Sequence, residues 1–307
     1  MGKKVLITGG AGFAGTGLTK RLIKSGHKVT CLDFLAPNHR GTADTEGVVH
    51  LWKAVQDIQP SDIEGHDIVV HLQAQADVPM GFTSPIWTTD QNVMGIVHVL
   101  EAVRQAGIEK FIYAGSGNEW GRPQYLPIDE NHPLTPHNPY SFSKAAAEMA
   151  CKAWNLSYGV PIVLMSNGAC LGPEMRRNIF IYIWLRNIIM GKSVILEGGE
   201  QTRDLTYVTD ILDAWELTIN APTEKVVGEK FQVSYGEEVT VKDILEMCFK
   251  ATGKCVEVIH KPYRPGEEGQ REFFDNSKAR KVLGYNPVVS PYEGIEHTFD
   301  WMKTFIS

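Results

Sequence analysis

Lys4-Val5-Leu6-Ile7-Thr8-Gly9-Gly10-Ala11-Gly12-Phe13-Ala14-Gly15 decides how this 307-residue chain is read. The β-branched run Lys4–Thr8 suits a buried parallel strand. Phe13–Lys24 carries Leu18, Leu22 and Ile23 at helical spacing, and Gly26 stops it. Between them stands Gly9-x-x-Gly12-x-x-Gly15. In this strand–turn–helix setting each glycine has its own task. Gly9 permits a tight turn, Gly12 leaves room for a pyrophosphate beside the backbone, and Gly15 lets helix pack closely on strand. Phe13 and Ala14 open a helix whose N–H groups and dipole attract phosphate.

Moving outward, Lys28–Asp33 forms a second strand pattern, and Asp33 lies near the ~20-residue offset of a ribose-binding acid. A carboxylate there accepts from adenosine ribose hydroxyls and repels a 2′-phosphate. Phe34 and Leu35 follow, so no adjacent arginine welcomes that phosphate, and NAD is expected rather than NADP. A solvated strand-end aspartate is the alternative. Asp57 and Ile58 are candidates for the adenine side. Further strand patterns are Val48–Trp52, Asp67–Leu72, Lys110–Ala114 and Ile162–Met165; helical patterns span Ser84–Gln105 and Ser141–Tyr158. This alternation predicts an α/β fold with a Rossmann-type, doubly wound parallel sheet. The second half is less regular. It has strand patterns at Val194–Leu196, Leu205–Val208 and Phe231–Ser234, and helices at Asp210–Asn220, Ser277–Leu283 and Pro291–Phe305. No composition shift marks a linker. The expected organisation is an NAD-binding domain over 1–170, with segments returning near 204–235, and a smaller interwoven C-terminal substrate lobe over most of 171–307.

A net charge of −6 gives no general attraction to nucleic acid or anionic lipid, so local groups must hold any anionic ligand. No apolar run approaches the ~20 residues of a membrane span; Arg186 and Asn187 interrupt the greasiest stretch. No apolar leader precedes Lys4. Five scattered cysteines without a CxxC pair suit a reduced cytoplasm. Ten histidines show no HExxH or paired Cys/His spacing, so no metal is expected. His71 reads as a hydrogen-bonded core or cofactor-side residue, and His132 and His137 as surface-loop residues, with contact to substrate the alternative.

Tyr140 and Lys144, four residues apart, share one helix face. A free phenol titrates near ~10. A neighbouring ammonium and a positive nicotinamide both favour phenolate, which makes Tyr140 a candidate general base, and Lys144 can also donate to the nicotinamide ribose. Ser116 follows the Lys110–Ala114 strand at the sheet's carboxyl edge, where such folds bind ligands. Its hydroxyl can meet the reacting oxygen; capping the following turn is its structural alternative. Together these features point to hydride chemistry on an alcohol.

Over essentially its whole length the chain resembles the extended short-chain dehydrogenase/reductase superfamily, in its NAD-dependent nucleotide-sugar epimerase/dehydratase branch. The resemblance rests on Thr8–Gly15, Asp33, His71-Leu72-Gln73-Ala74-Gln75-Ala76, Asn92, Ser116–Gly121, and Asn138-Pro139-Tyr140 with Lys144. It continues through Gly172-Pro173, Gly198–Asp204, Arg264–Glu267, Asp275–Ala279 and Leu283-Gly284-Tyr285. It implies catalytic roles for Ser116, Tyr140 and Lys144, and places Leu72, Gln73, Ala74, Gln75 and Asn92 beside NAD. Arg203 and Arg264 would grip the diphosphate of a nucleotide-sugar substrate, a task suited to an arginine fork. Asn118 and Asn167 are candidates toward the sugar and Arg176 toward phosphate or sugar, with a solvated loop arginine the alternative for Arg176. A homodimer packed through the helices at Ser84–Gln105 and after Tyr140 is also implied.

The chain departs from the branch near the sugar. Dehydratases and decarboxylases place an acid one or two residues after the catalytic serine; here those residues are Gly117 and Asn118. Glu119 stands one step later, at a usually apolar position, and Trp120 replaces a tyrosine. One step along an extended chain reverses a side chain, so Glu119 is an acid–base candidate only if a local bulge turns it back. This favours C4 epimerisation through a transient 4-keto sugar, with Tyr140 taking the 4-hydroxyl proton as the C4 hydride passes to NAD, and the hydride returning to the opposite face. A 4,6-dehydratase using Glu119, a keto-sugar reductase, and a catalytically silent NAD-binding sensor or scaffold are the alternatives. Ser166 stands where the branch has arginine, and Ala169 where it has a substrate-contacting asparagine, for which Asn167 could compensate. Gln73 replaces an alanine and Gly81 a serine.

Overall fold

The computed structural model describes residues 2–35 and 45–306. Its strands, in chain order, are β1 Lys4–Thr8, β2 Lys28–Asp33, β3 Val49–Trp52, β4 Ile68–His71, β5 Lys110–Ala114, β6 Ile162–Asn167, β7 Ala169–Leu171, β8 Val194–Glu197, β9 Thr202–Arg203, β10 Leu205–Tyr207, β11 Lys230–Val233, β12 Val239–Thr240 and β13 Val258–Lys261. Seven of them form one parallel sheet in the order β11-β6-β5-β4-β1-β2-β3. Sequence and structure agree on this Rossmann-type sheet. Its central strands are apolar on both faces because helices cover both. Val5 and Ile7 enter one core cluster while Leu6, between them, enters the other.

Strand order reverses between β1 and β4, which opens the crevice where such sheets bind ligands. Here Thr8 and His71 are register partners, and their Oγ1 and Nδ1 atoms lie 2.8 Å apart. The loops leaving the two strands touch: a Cβ on Gly9, whose φ is +75°, would come within 2.7 Å of the Gln73 nitrogen.

β11 carries the chain from its irregular half back to the edge of the sheet, beside β6. The rest of that half supplies three small pairs, β7 with β10, β9 with β12, and β8 with β13. One strand residue secures a distant helix. Lys110 is buried, and its ammonium donates to the carbonyls of Thr218, Ile219 and Ala221 at 2.9, 3.2 and 2.7 Å. A cation there satisfies the last carbonyls of the Val208–Asn220 helix.

The pattern read as one helix over Ser84–Gln105 is divided. Pro85–Thr89 is a short helix, Asp90–Met94 a π turn, and Gly95–Ala106 a helix ended by Gly107 at φ +72°. Pro85 restarts the helix, and the π turn directs Asn92 inward. π turns inside helices are often found at functional sites. Among the described residues no helix is long and apolar enough to cross a membrane.

Candidate active site

The glycine turn has the shape its spacing predicts. A Cβ on Gly15 would lie 2.2 Å from the Gly9 carbonyl oxygen, so helix and turn are in backbone contact. A Cβ on Gly12 would meet only that same oxygen, at 3.2 Å, and the space above it is otherwise open. No side chain caps the Phe13–Lys24 helix and no acidic residue stands in its first turn, so the N–H groups of that turn are open to a phosphate. Asp33 lies beside the turn: Oδ2 accepts from the Ala11 N–H at 3.0 Å and Oδ1 from the Leu35 N–H at 2.9 Å. This cradle fits a dinucleotide with Phe13 and Ala14 at its phosphates and Asp33 toward a ribose. Gly10 was not singled out by its spacing, yet a Cβ there would collide with Cys31 at 2.7 Å.

The segment leaving β4 runs against this turn. The Leu72 N–H donates to the Thr8 carbonyl at 3.0 Å, and Gln73 and Ala74 follow past Gly9. Asn92 accepts the Gln75 N–H at 2.7 Å and donates to the Gln75 carbonyl at 2.9 Å and the Ser143 hydroxyl at 2.8 Å. Its polar atoms are therefore engaged within the protein, and it pins the Gln75 loop to the helix that carries Tyr140. Ile58 is buried in the core, leaving its backbone rather than its side chain for a ligand, while Asp57 is exposed. Burial, with Lys144 nearby, holds the His71 imidazole neutral by lowering its pKa to about 3.

Ser116, Tyr140 and Lys144 converge at the carboxyl edge. Asn138 caps the Pro139–Tyr158 helix by accepting the Ser141 N–H at 2.8 Å, which starts Tyr140 in the first turn. The Tyr140 hydroxyl donates to Ser116 Oγ over a long 3.4 Å, and that oxygen also accepts the Asn118 N–H at 3.2 Å. Lys144 is buried, donates to the Ala114 carbonyl at 2.6 Å, and lies 4.4 Å from the centre of the Tyr113 ring. Burial lowers its pKa to about 8.

The expectation that neighbouring charge lowers the Tyr140 pKa needs correction. Burial raises the phenol above its ordinary value. The Ser116 hydrogen bond and Arg176 pull it down, and Glu119 and Glu272 push it up. The protein's own groups thus leave Tyr140 protonated, and a positive ring bound beside it is required to favour phenolate.

Glu119 is a second correction. It is not an acid–base group of the cleft, being 0% exposed. The one-turn helix Gly117–Trp120 closes a capping box in which Glu119 Oε2 accepts the Ser116 N–H at 3.2 Å. Its Oε1 faces the core, where it accepts from Ser166 Oγ and, at 2.9 Å, from the Lys230 ammonium. No bulge turns it outward.

A cleft of about 320 Å³ lies in front of Ser116 and Tyr140, bordered by Asn118, Asn167, Ala169, Arg176, Arg203 and Arg264. It shares Asn118, Arg203 and Arg264 with an adjoining pocket of about 480 Å³. Asn167 Oδ1 accepts from the Trp215 indole at 3.3 Å. Both expected phosphate-binding arginines are matched by carboxylates: Arg203 with Glu267 at 3.2 Å and Glu272 at 3.6 Å, Arg264 with Glu197. Asp77, which the sequence did not single out, caps the Val78–Thr83 helix at the cleft wall and is bonded by Asn178 from the opposite side. Of the two loop histidines, His132 is not a surface residue: it is buried and accepts the Gln124 N–H at 2.8 Å. His137 is half-buried and lines the larger pocket.

A glycine cradle at the switch point of a parallel sheet, with a cleft at the same edge, defines a dinucleotide-binding protein of the Rossmann class. The chain belongs to the NAD-dependent epimerase/dehydratase family, whose sequence profile matches residues 5–234. It is 31% identical, over 97% of its length and 98% of the relative's, to a putative UDP-glucose 4-epimerase of Methanocaldococcus jannaschii. It is 27% identical to a dTDP-glucose 4,6-dehydratase of Streptomyces niveus, over 98% and 93% of the two chains. The UDP-glucuronic acid 4-epimerase of Bacillus cereus, solved with UDP-glucuronic acid and NAD, superposes with a TM-score of 0.91 at 26% identity, covering 98% of this chain and 99% of that one.

Proposed function

We propose that the protein is an NAD-dependent nucleotide-sugar 4-epimerase. The observation that carries this reading is the pairing of Tyr140 with Ser116 in front of the cleft while Glu119 is turned into the core. The carboxylates that do border the cleft are engaged: Asp77 with Asn178, and Glu267 and Glu272 with Arg203. None is left beside Ser116 to drive elimination. The 4-epimerases among the chain's relatives support the same choice over the related dehydratases.

In the cradle of Gly9, Gly12, Phe13, Ala14 and Asp33, NAD would supply a hydride acceptor, and in reduced form a hydride donor, for C4. Tyr140 takes the 4-hydroxyl proton and later returns it. Ser116 orients that oxygen, and Lys144 keeps a positive charge behind the phenol. Arg203 and Arg264 hold the diphosphate, with Arg176, Asn118 and Asn167 toward the sugar. Most of residues 171–307 would form the substrate lobe, with segments near 204–235, β11 among them, returning to the NAD-binding domain, and cysteines in no disulfide among the described residues suit a cytoplasmic enzyme.

The test is incubation with UDP-glucose or UDP-glucuronic acid, without added reductant. An isomer of equal mass supports the reading. A product lighter by one water supports the dehydratase, and no turnover of any nucleotide sugar supports a silent binder. The pH profile is a second check. Activity should fall as pH rises through about 8, where Lys144 loses its proton. Lys144→Arg, which keeps its charge, should be slower but flat across that window.

The partner we propose is a second copy of this chain. Phe142, Met149 and Leu156 recur every seven residues on the Pro139–Tyr158 helix and are all exposed. Phe142 also lines, with Ile86 and Met94, a groove of about 630 Å³. An apolar stripe of this kind suits a self-complementary two-fold contact. Ile96 and Leu100, by contrast, are buried within the protomer. Phe142→Glu with Leu156→Glu should convert a dimer to a monomer in analytical ultracentrifugation; an unchanged mass counts against this face.

A further inference from the structure

Behind the Ser116 turn lies a buried ionic cluster that the proposed reaction does not use. The Lys230 ammonium donates to Glu119 Oε1 at 2.9 Å and to Glu148 Oε2 at 2.6 Å. It also lies 3.6 Å from the centre of the Trp120 ring. Lys230 is 7% exposed, Glu148 1% and Glu119 0%. Lys152 pairs with the outer oxygen of Glu148 at 2.6 Å. Such a cluster is often less stable than apolar packing of the same volume, so its presence invites a use beyond stability.

Its geometry supplies one. Glu119 belongs to the turn that carries Ser116, and its second oxygen holds the Ser116 N–H. Glu148 lies four residues after Lys144 and eight after Tyr140, on the same face of the same helix. Lys230 comes from β11, next to β6, and Ser166 of β6 completes the contacts of Glu119. One ammonium therefore joins the turn bearing Ser116 to the helix bearing Tyr140. We infer that Lys230, with Glu119 and Glu148, is a positioning clamp that fixes the Ser116–Tyr140 pair. The clamp also accounts for Ser166: the cation absent from β6 comes from the neighbouring strand.

This inference rests on the reading of Ser116 and Tyr140 as the reacting pair. The groups acting electrostatically on Tyr140 are Arg176, Glu119 and Glu272, besides its hydrogen bond to Ser116; those raising the Lys144 pKa are Glu119, Cys151 and Glu148. Removing the Lys230 charge takes the cation from Glu119, while Glu148 keeps Lys152, and so loosens the hold on the Ser116 turn. Removing the Glu119 charge relieves Tyr140 of a repelling carboxylate and favours phenolate.

The experiment compares Lys230→Met, Lys230→Arg, Glu119→Gln and the double variant Glu119→Gln/Lys230→Met. The readouts are kcat, KM, retained NAD and the pH profile of kcat/KM. Loss of one buried hydrogen-bonded charge should lower kcat of Lys230→Met by roughly 10–100-fold, with KM and NAD content near the parent's. The acidic limb of Glu119→Gln should move to lower pH, and Lys230→Arg should recover most of kcat. The double variant should be less impaired than Lys230→Met. If Lys230→Met does not fold, the limb shift of Glu119→Gln decides the matter. Parental kcat in folded Lys230→Met, or an unmoved limb in Glu119→Gln, overturns the clamp. Ser116→Ala and Tyr140→Phe in the same assay separate the two readings. If both turn over normally, the reacting pair itself is wrong; if both fail while Lys230→Met does not, only the clamp is.

Discussion

Tyr140→Phe should lower turnover of the native nucleotide sugar by about 10²–10⁴-fold, the range removed with a positioned acid–base group. The substitution deletes one oxygen and keeps the ring, which is 7% exposed. The helix cap at Asn138 and the Asn92–Ser143 tie do not involve that oxygen, so the fold and retained NAD should be unchanged. What is lost is the proton acceptor at the C4 oxygen and the partner 3.4 Å from Ser116. Because ground-state contacts to the diphosphate remain, the deficit should appear in kcat rather than KM. Steady-state kinetics with a count of bound NAD measures both. A variant with parental kcat would remove Tyr140 from the chemistry.

Gly15→Ala should be nearly as damaging by a different route. The new Cβ would lie 2.2 Å from the Gly9 carbonyl oxygen, and 2.8 Å from the Gly10 Cα, so backbone must move against backbone. Overpacking of this kind costs about 1–3 kcal/mol, which moves the helix N-terminus and weakens NAD binding by roughly 10–100-fold. Gly12→Ala is the informative contrast. Its Cβ has only one protein contact, at 3.2 Å, so the apoprotein should melt near the parent's temperature while NAD binding still falls. Calorimetric titration with NAD and thermal melts distinguish the two. Equal NAD affinity in both variants and the parent would contradict the cradle.

Much of the fold was legible because local signals and tertiary packing agree. Lys4–Thr8, Lys28–Asp33, Lys110–Ala114 and Ser277–Leu283 begin and end at the residues the pattern indicates. Gly284, at φ +75°, closes the last of these. The site was legible where it follows a helical period or a glycine spacing, as in Tyr140 with Lys144 and in the turn at Gly9. It was not legible where contacts cross the chain. Lys230 opens a short apolar strand, and no local pattern announces that its ammonium meets Glu119, 111 residues earlier, and Glu148, 82 residues earlier. The orientation of Glu119 depends on a capping box inside a four-residue helix, too short to carry a period. The raised pKa of Tyr140 arises from surroundings assembled by distant segments, whereas His132 is enclosed by its own loop, against Trp120, Gln124 and Tyr125, where no period marks burial.

The reaction proposed takes hydride from C4 and returns the same hydride to its opposite face, with no net redox. A nucleotide sugar that the protein turns over, deuterated at C4 and followed by mass spectrometry and NMR, tests it most directly. The account predicts a C4-inverted product of the starting mass, its deuterium still on C4, formed without added reductant. Deuterium released to solvent, a product lighter by one water, or an isomer whose C4 is unchanged would contradict it.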